Sequence, residues 1–329
     1  MLNFCTLFNS IYLTRGLAMY KSLAKHCKEF HLYIFAFDEV SYSVLKDLEL
    51  ENATIISLHS FENDELLSIK STRTIAEYCW TCTPATVAYC LDNYKLPSCT
   101  YLDADLLFFA DPAVLYEELE ESKSVIITDH RYTPNYDQSA TSGKYCVQFV
   151  YFKNDKQGRI VLNWWNDACI DWCYNRFEDN KFGDQKYLDD WCERFEGVHE
   201  LQHLGGGVAP WNVQQYTIFN DNDRLAGKVD ETNQTFDLVF YHFHDLKYCE
   251  NDAFHLGHYE LRQDHLRYIY KPYVIALKDA EEELDSISSV NTFHEIKEIP
   301  RINKSLRRKY RFSVYGHFDN YYKRKYLIK

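Results

Sequence analysis

The chain opens with apolar runs that alternate with amphipathic stretches. Asn3 to Phe8 is largely apolar and predicts a first strand. After Asn9-Ser10, Ile11 to His26 carries Leu13, Leu17, Tyr20 and Leu23 on one side, which is helical spacing. Leu32 to Phe37 predicts a second strand. Val44, Leu45 and Leu48, following Ser41, predict a second helix, and Thr54 to Leu58 a third strand. This βαβαβ order favours a parallel sheet covered by helices. The first strand-to-helix turn has no glycine-rich fingerprint, so a dinucleotide cradle has little support.

Further on, Phe61 to Asn93 is polar and then helical, with Pro84 either kinking one helix or starting another. Cys99 to Phe109 predicts the central strand, Val114 to Leu119 a short helix, and Val125 to Thr128 a strand. His130 to Ser142 is polar and turn-rich, suited to a loop beside a substrate. Tyr145 to Phe152 predicts a strand and Arg159 to about Arg176 a long helix. Leu238 to Phe243 predicts a strand that brings His242 and His244 to one face, and Ile269 to Leu284 a late helix. The expected fold is a single α/β domain over residues 1–270, with a mostly parallel sheet flanked by helices. A helical, basic and aromatic extension is expected over residues 271–329.

Composition narrows the function. With 329 residues, 46% hydrophobic and 16% aromatic, the chain can bury a substantial core. A formal net charge of −13 argues against a general nucleic-acid binder. That charge is unevenly spread, because residues 300–329 hold ten Lys or Arg against one acidic residue. Together with Phe312, Tyr315, Phe318, Tyr321, Tyr322 and Tyr326, this tail suits an anionic membrane surface. A solvated or oligomer-forming tail is the alternative. No window approaches 18 uninterrupted apolar residues, and the N-terminus lacks a signal-peptide pattern. The expected location is cytoplasmic, peripheral on the inner face of the membrane. Eleven cysteines, an odd number in a long chain, argue against a disulfide framework; Cys79-Trp-Thr-Cys82 has redox or zinc spacing, but Ala76, Cys79, Thr83 and Val87 suit a helix face, which favours structural thiols.

The chemistry gathers at Thr100-Tyr-Leu-Asp103-Ala-Asp105-Leu-Leu-Phe-Phe109. Carboxylates at i and i+2 of an extended segment share a face, so both can reach one hard divalent cation. Asp-Ala-Asp is also common in solvated turns. The apolar residues on either side oppose that reading, since carboxylates inside such a run need compensation. Asp184 precedes the helical run containing Leu188 and Trp191, and reads either as its cap or as a reaction-centre group. The glycines 205–207 permit close approach to a ligand, or make an ordinary loop.

At Asp103-Ala-Asp105 the chain resembles metal-dependent glycosyltransferases of the GT-A fold, and other segments do so in matching order up to about residue 270. Phe4 to Phe8, followed by Tyr12 and Arg15, is similar to their first nucleotide-binding strand and turn. Gly183-Asp184-Gln185 resembles the Asp-Gln segment of the retaining galactosyltransferase and glycogenin-like family. His203-Leu-Gly-Gly206-Gly-Val-Ala209-Pro-Trp211 resembles its His-x-x-Gly-x-x-Lys-Pro-Trp segment. A broader resemblance is to bacterial surface-polysaccharide glycosyltransferases.

The resemblance implies a nucleotide-sugar donor, Mn²⁺ or Mg²⁺ on Asp103 and Asp105, and a glycan or lipid-linked acceptor. His203, His242 or His244 would complete the metal shell. Phe8, Tyr12, Arg15 and Gly206 would contact the donor, and Gln185 with Asp184 would form the reaction centre. If the reaction inverts, Asp184 or Asp137 would be the base. Two departures stand out. Ala209 replaces the usual phosphate-binding Lys, with Arg73 as a candidate substitute, and Cys146-Val-Gln148 replaces an Asn-x-Gly strand. Two other classes compete: phosphoryl transfer from an Asp nucleophile, disfavoured by Leu107, and an inactive nucleotide-sugar-binding or assembly protein, favoured by Ala209.

Overall fold

The early apolar runs become neighbouring buried strands. In this computed structural model, which describes residues 1–287, 293–299 and 306–329, β1 (Leu2–Phe8), β2 (Phe30–Ala36), β3 (Ala53–Ser57) and β4 (Ser98–Leu102) are mutually parallel. The short β5 (Leu106–Phe108) lies outside their sheet. That sheet is completed by β6 (Val125–Asp129), β7 (Tyr145–Lys153) and β8 (Val198–Glu200), in the order β3-β2-β1-β4-β7-β6-β8. Only β7 is antiparallel to its neighbours, β4 and β6. Asn3 to Phe8 and Tyr145 to Phe152 are buried without a break, as expected for strands covered on both faces.

Strand alternation divides the core in two. Phe4 and Phe8 pack with Leu13, Leu17 and Leu23 of α1 (Leu13–His26) and Val44 and Leu45 of α2 (Glu39–Asp47). Cys5 and Leu7 face the other way. They share a core with Cys82, Val87 and Cys90 of α3 (Ile75–Asn93) and Val161, Leu162 and Trp165 of α4 (Lys156–Asp171). A reciprocal Thr74–Glu77 capping box starts α3, and the helix runs on through Pro84. Proline removes one backbone hydrogen bond, but buried Thr81, Cys82, Thr86 and Val87 hold the helix to the sheet on both sides of it. The Asp155 side chain caps α4 through the Gly158 amide at 3.0 Å, so this helix begins earlier than its periodicity predicts, and it ends at Asp171 rather than near Arg176.

The expected single strand Cys99–Phe109 is in fact two. The chain leaves the main sheet after Leu102 and turns at Ala104-Asp105. β5 then enters a second sheet, with β9 (Gly206–Val208) and a later strand. A meander of β10 (Tyr216–Asp221), β11 (Arg224–Val229) and β12 (Thr235–Asp237) leads to that strand, β13 (Phe240–His242), which lies between β5 and β9. The hairpin β14 (Leu246–Cys249) and β15 (Ala253–Leu256) follows.

The C-terminal segment is built onto this body. α5 (Lys271–Ile287) buries Tyr273, Val274, Leu277, Ala280 and Leu284 in cores shared with α1. Further along lie β16 (Ile296–Lys297), α6 (Leu306–Val314), β17 (His317–Phe318) and β18 (Tyr321–Lys323), and β18 pairs with β15. Part of the basic surplus is used internally, since Arg324 pairs with Glu281 and Asp252. Arg301 and Lys304 lie outside the described residues. Among the described residues no helix is long and apolar enough to cross a membrane.

Candidate active site

The two carboxylates share one space because the chain turns between them. The Asp103 amide donates to the Gln148 carbonyl of β7 at 3.1 Å, and the Asp105 carbonyl accepts from the Phe243 amide at 3.0 Å. The triplet is thus stitched to both sheets. Antiparallel pairing of β5 with β13 sets His242 opposite Leu106, one residue from Asp105. His242 Nε2 lies 3.1 Å from Asp105 Oδ1 and 3.7 Å from Asp103 Oδ2. Its Nδ1 lies 2.9 Å from Gln148 Oε1. An amide oxygen only accepts, so Nδ1 carries a proton and Nε2 is the nitrogen free to bind a cation. Cys146 Sγ is within 4.8 Å of ligand atoms of Asp103 and His242. Two carboxylates and an imidazole with a fixed tautomer fit a divalent ion.

The three groups lie at the floor of a cavity of about 690 Å³. Phe8, Tyr12, Cys79, Trp80, Thr83, His130, Tyr132, Trp211, His244 and Tyr259 also line it, with Asp184 and Gln185. The Trp211 ring stands edge-on to His242 and His244 at 5.4 and 5.5 Å. Its indole N–H donates to the His130 carbonyl at 2.9 Å, which fixes the wall.

Electrostatics separate the carboxylates. Burial raises the Asp103 carboxyl to about 6, against the pull of His242. Burial acts the same way on Asp105, but the charge and hydrogen bond of His242, with help from His244 and Arg15, hold it near 2. His242 is pushed well above the usual imidazole range: burial opposes its charge, and the attraction of Asp105 outweighs burial. Without metal, then, an imidazolium offsets the carboxylates. Asp184, 5% exposed, is raised to about 7 by burial and then by repulsion from Asp103, while a hydrogen bond with Thr83 opposes the rise.

No protein-family model matches the chain. It is 32% identical to the uncharacterized protein YfnD of Bacillus subtilis (strain 168) over 293 residues, 86% of this chain and 91% of YfnD. It is 30% identical to YfnF of the same organism over 247 residues, 73% of this chain and 80% of YfnF. The chain belongs to the family of YfnD and YfnF. Among solved structures, the galactosyltransferase LgtC, in complex with donor and acceptor sugar analogs, superposes with a TM-score of 0.50 at 13% identity. That match covers 88% of this chain and 97% of LgtC. The bifunctional glycosyltransferase WbbM matches with a TM-score of 0.51 at 11% identity, over 87% of this chain and 51% of WbbM. At these identities the likeness establishes the GT-A fold.

The cavity brings together Phe8, Tyr12, Asp103, Asp105, Asp184, Gln185, His242 and His244. Arg15 is buried just behind it, donating to the Leu246 carbonyl at 3.0 Å and stacked 4.6 Å from the Tyr12 ring centre. Among the described residues no carboxylate pairs with it. His203, Gly206 and Arg73 are not among the lining residues. His203 Nδ1 accepts from the Gly205 amide at 3.1 Å. Arg73 stacks 3.9 Å from Tyr174 and donates to the Ile170 carbonyl.

The three glycines are closely packed. A Cβ on Gly205 would stand 1.9 Å from the Asp237 carbonyl oxygen, and one on Gly206 within 2.8 Å of Leu115 and Leu201. Asp184 does not cap the following helical turn, whose first flanking residue is Gln185. Asp137 is exposed, accepts from the Ser139 amide and does not line the cavity. The sequence pattern singles out neither Trp80 nor Thr83 as a site residue, whereas His130 and Tyr132 fall in the stretch read as a loop beside a substrate. Cys146 belongs to the segment that replaces Asn-x-Gly.

Proposed function

We propose that this protein is a metal-dependent glycosyltransferase. It would move a sugar from a nucleoside diphosphate sugar, a UDP-sugar by preference, to a hydroxyl of a glycan or lipid-linked acceptor, with retention. The observation that carries this reading is the convergence of Asp103, Asp105 and His242 at the floor of an aromatic-walled cavity in a GT-A fold. LgtC, which shares the fold, is a galactosyltransferase whose structure holds donor and acceptor sugar analogs. Asp103, Asp105 and His242 would hold Mn²⁺ or Mg²⁺, which when bound supplies positive charge for the departing diphosphate.

The remaining work falls to side chains. The exposed Tyr12 ring can stack on a base, whereas Phe8 lines the cavity from within the core. Gln185 donates through Nε2 to the Ser142 carbonyl at 2.7 Å, so its amide oxygen is available to support positive charge on the donor sugar. Asp184, titrating near neutrality, can exchange a hydrogen bond with a sugar hydroxyl. The exposed Lys325 and Lys329, with the basic residues of the last thirty, would hold the protein at an anionic membrane surface where a lipid-linked acceptor lies.

The test is calorimetry with a panel of nucleotide sugars, with and without Mn²⁺, on wild type and Asp105→Ala. Mn²⁺-dependent binding in the wild type that Asp105→Ala abolishes is expected. Equal affinity in both proteins would overturn the reading. One observation favours a second reading, a nucleotide-sugar-binding protein without turnover. No Lys or Arg is among the residues lining the cavity, and Ala209, at the position that the motif resemblance gives to a Lys, is buried. Release of UDP on adding acceptor separates the two.

A further inference from the structure

A second group of potential ligands lies beside the first cavity and is independent of the donor reading. Asp245, His255 and His258 place one carboxylate oxygen and two imidazole nitrogens within 4.8 Å of one another. The hairpin builds this cluster. Lys247 on β14 pairs with His255 on β15, which brings the open end of the hairpin, Asp245 on one side and Gly257-His258 on the other, together. Gly257 has φ +83°, a conformation that turns the chain so that His258 faces back. The His255 and His258 rings lie 4.8 Å apart at 64°.

The two imidazoles differ in exposure but share a lack of partners. His255 is 5% exposed and is held by stacking on Tyr321 of β18 at 4.3 Å. His258 is exposed. Among the described residues neither imidazole makes a hydrogen bond, although a buried imidazole ordinarily finds one. Asp245 is paired with Lys247 at 2.5 Å through Oδ1, and its Oδ2 lies on the side of Gly257.

We propose that Asp245, His255 and His258 form a second metal site, for a borderline divalent ion of the Zn²⁺ type. Two imidazoles and one carboxylate favour such an ion over Mg²⁺ or Ca²⁺, which take oxygen ligands. The exposed side of His258 leaves a position for water, so the site is open in form. Its place gives it a consequence. Tyr259 follows His258 and lines the cavity, and the next amide, of Glu260, donates to Tyr136 Oη at 2.8 Å. An ion here would tie the rim segment 257–260 to the hairpin, and, through His255 and Tyr321, to the C-terminal segment.

The experiment is Zn²⁺ titration by calorimetry, with visible absorption of Co²⁺ as a second readout, on protein carrying Asp105→Ala and His242→Ala, which removes a ligand from the Asp103, Cys146 and His242 group as well as from the carboxylate pair. One equivalent of Zn²⁺ is expected to bind. Adding His258→Ala or Asp245→Asn should weaken it at least tenfold, and Co²⁺ should lose its intense visible band. His258 is exposed, and Asn tolerates the left-handed backbone of Asp245 (φ +63°), so both variants should fold. Absence of Zn²⁺ uptake by the protein with both substitutions would overturn the proposal. So would uptake that His258→Ala leaves unchanged, which would point to the buried thiols instead.

Discussion

Asp184→Asn gives the sharpest test of the electrostatics at the cavity floor. The carboxyl is 5% exposed, and burial and Asp103 raise it from an ordinary 3.8 to about 7. For an acid raised on folding, the native state holds its proton where the unfolded chain has lost it. Stability is therefore full below about pH 4 and is lost as pH climbs toward 7. A shift of about three units corresponds to about 4 kcal/mol by pH 8, of which about 2.5 kcal/mol is lost between pH 5 and pH 8. Asparagine keeps the shape and cannot ionise. Urea unfolding of both proteins in EDTA, at half-unit steps from pH 5 to 8, gives the difference directly. The variant's stability relative to wild type should rise by about 2 to 3 kcal/mol across that range. Parallel profiles would refute the argument, because they would mean that Asp184 ionises in the native protein at its ordinary pH. The same variant reports on function: a group that orients the donor sugar should lose turnover while gaining stability, whereas a packing group should lose neither.

Four further outcomes are expected. His242→Ala should raise the Mn²⁺ concentration needed for nucleotide-sugar binding at least tenfold, and His203→Ala should leave it unchanged; calorimetry on both checks this. Mn²⁺ affinity should increase with pH from about 5 to 8, because Asp103, raised to about 6, and His242, raised well above its usual range, must both give up protons to bind metal. Titrations in buffers of different ionisation enthalpy should accordingly show proton release. Thr74→Ala should cost about 1 kcal/mol through loss of the α3 cap, read by urea midpoint. Lys325→Ala with Lys329→Ala should reduce co-sedimentation with anionic vesicles at low salt, and added salt should reduce it for the wild type as well.

Much of the architecture was legible along the chain because its signals are local. The alternation of apolar runs with helical spacing over residues 3–58 specifies strands and helices before any long-range contact forms. Asp103 and Asp105, two residues apart inside an apolar run, announce a site for the same reason. Their mutual approach, however, comes from a turn between two sheets, which an unbroken apolar run over residues 99–109 conceals. Pro84 within α3 likewise leaves a kink and a new helix start open until the surrounding burial is known.

Which histidine meets the carboxylates was decided only by tertiary structure. His203 carries the motif-like spacing, yet the register of β13 against β5, a pairing across more than 130 positions, delivers His242 to Asp105. Glycines 205–207 are likewise closely packed by residues distant in sequence, Gly205 by the Asp237 carbonyl, Gly206 by Leu115 and Leu201, and Gly207 by Thr128. Arg73 and Arg15 carry the same charge in sequence. Only the fold buries Arg15 behind Tyr12 and leaves Arg73 stacked on Tyr174. Local periodicity determines the elements. The pairing of distant strands determines which side chains share a cavity, since that depends on registers that no short stretch of sequence encodes.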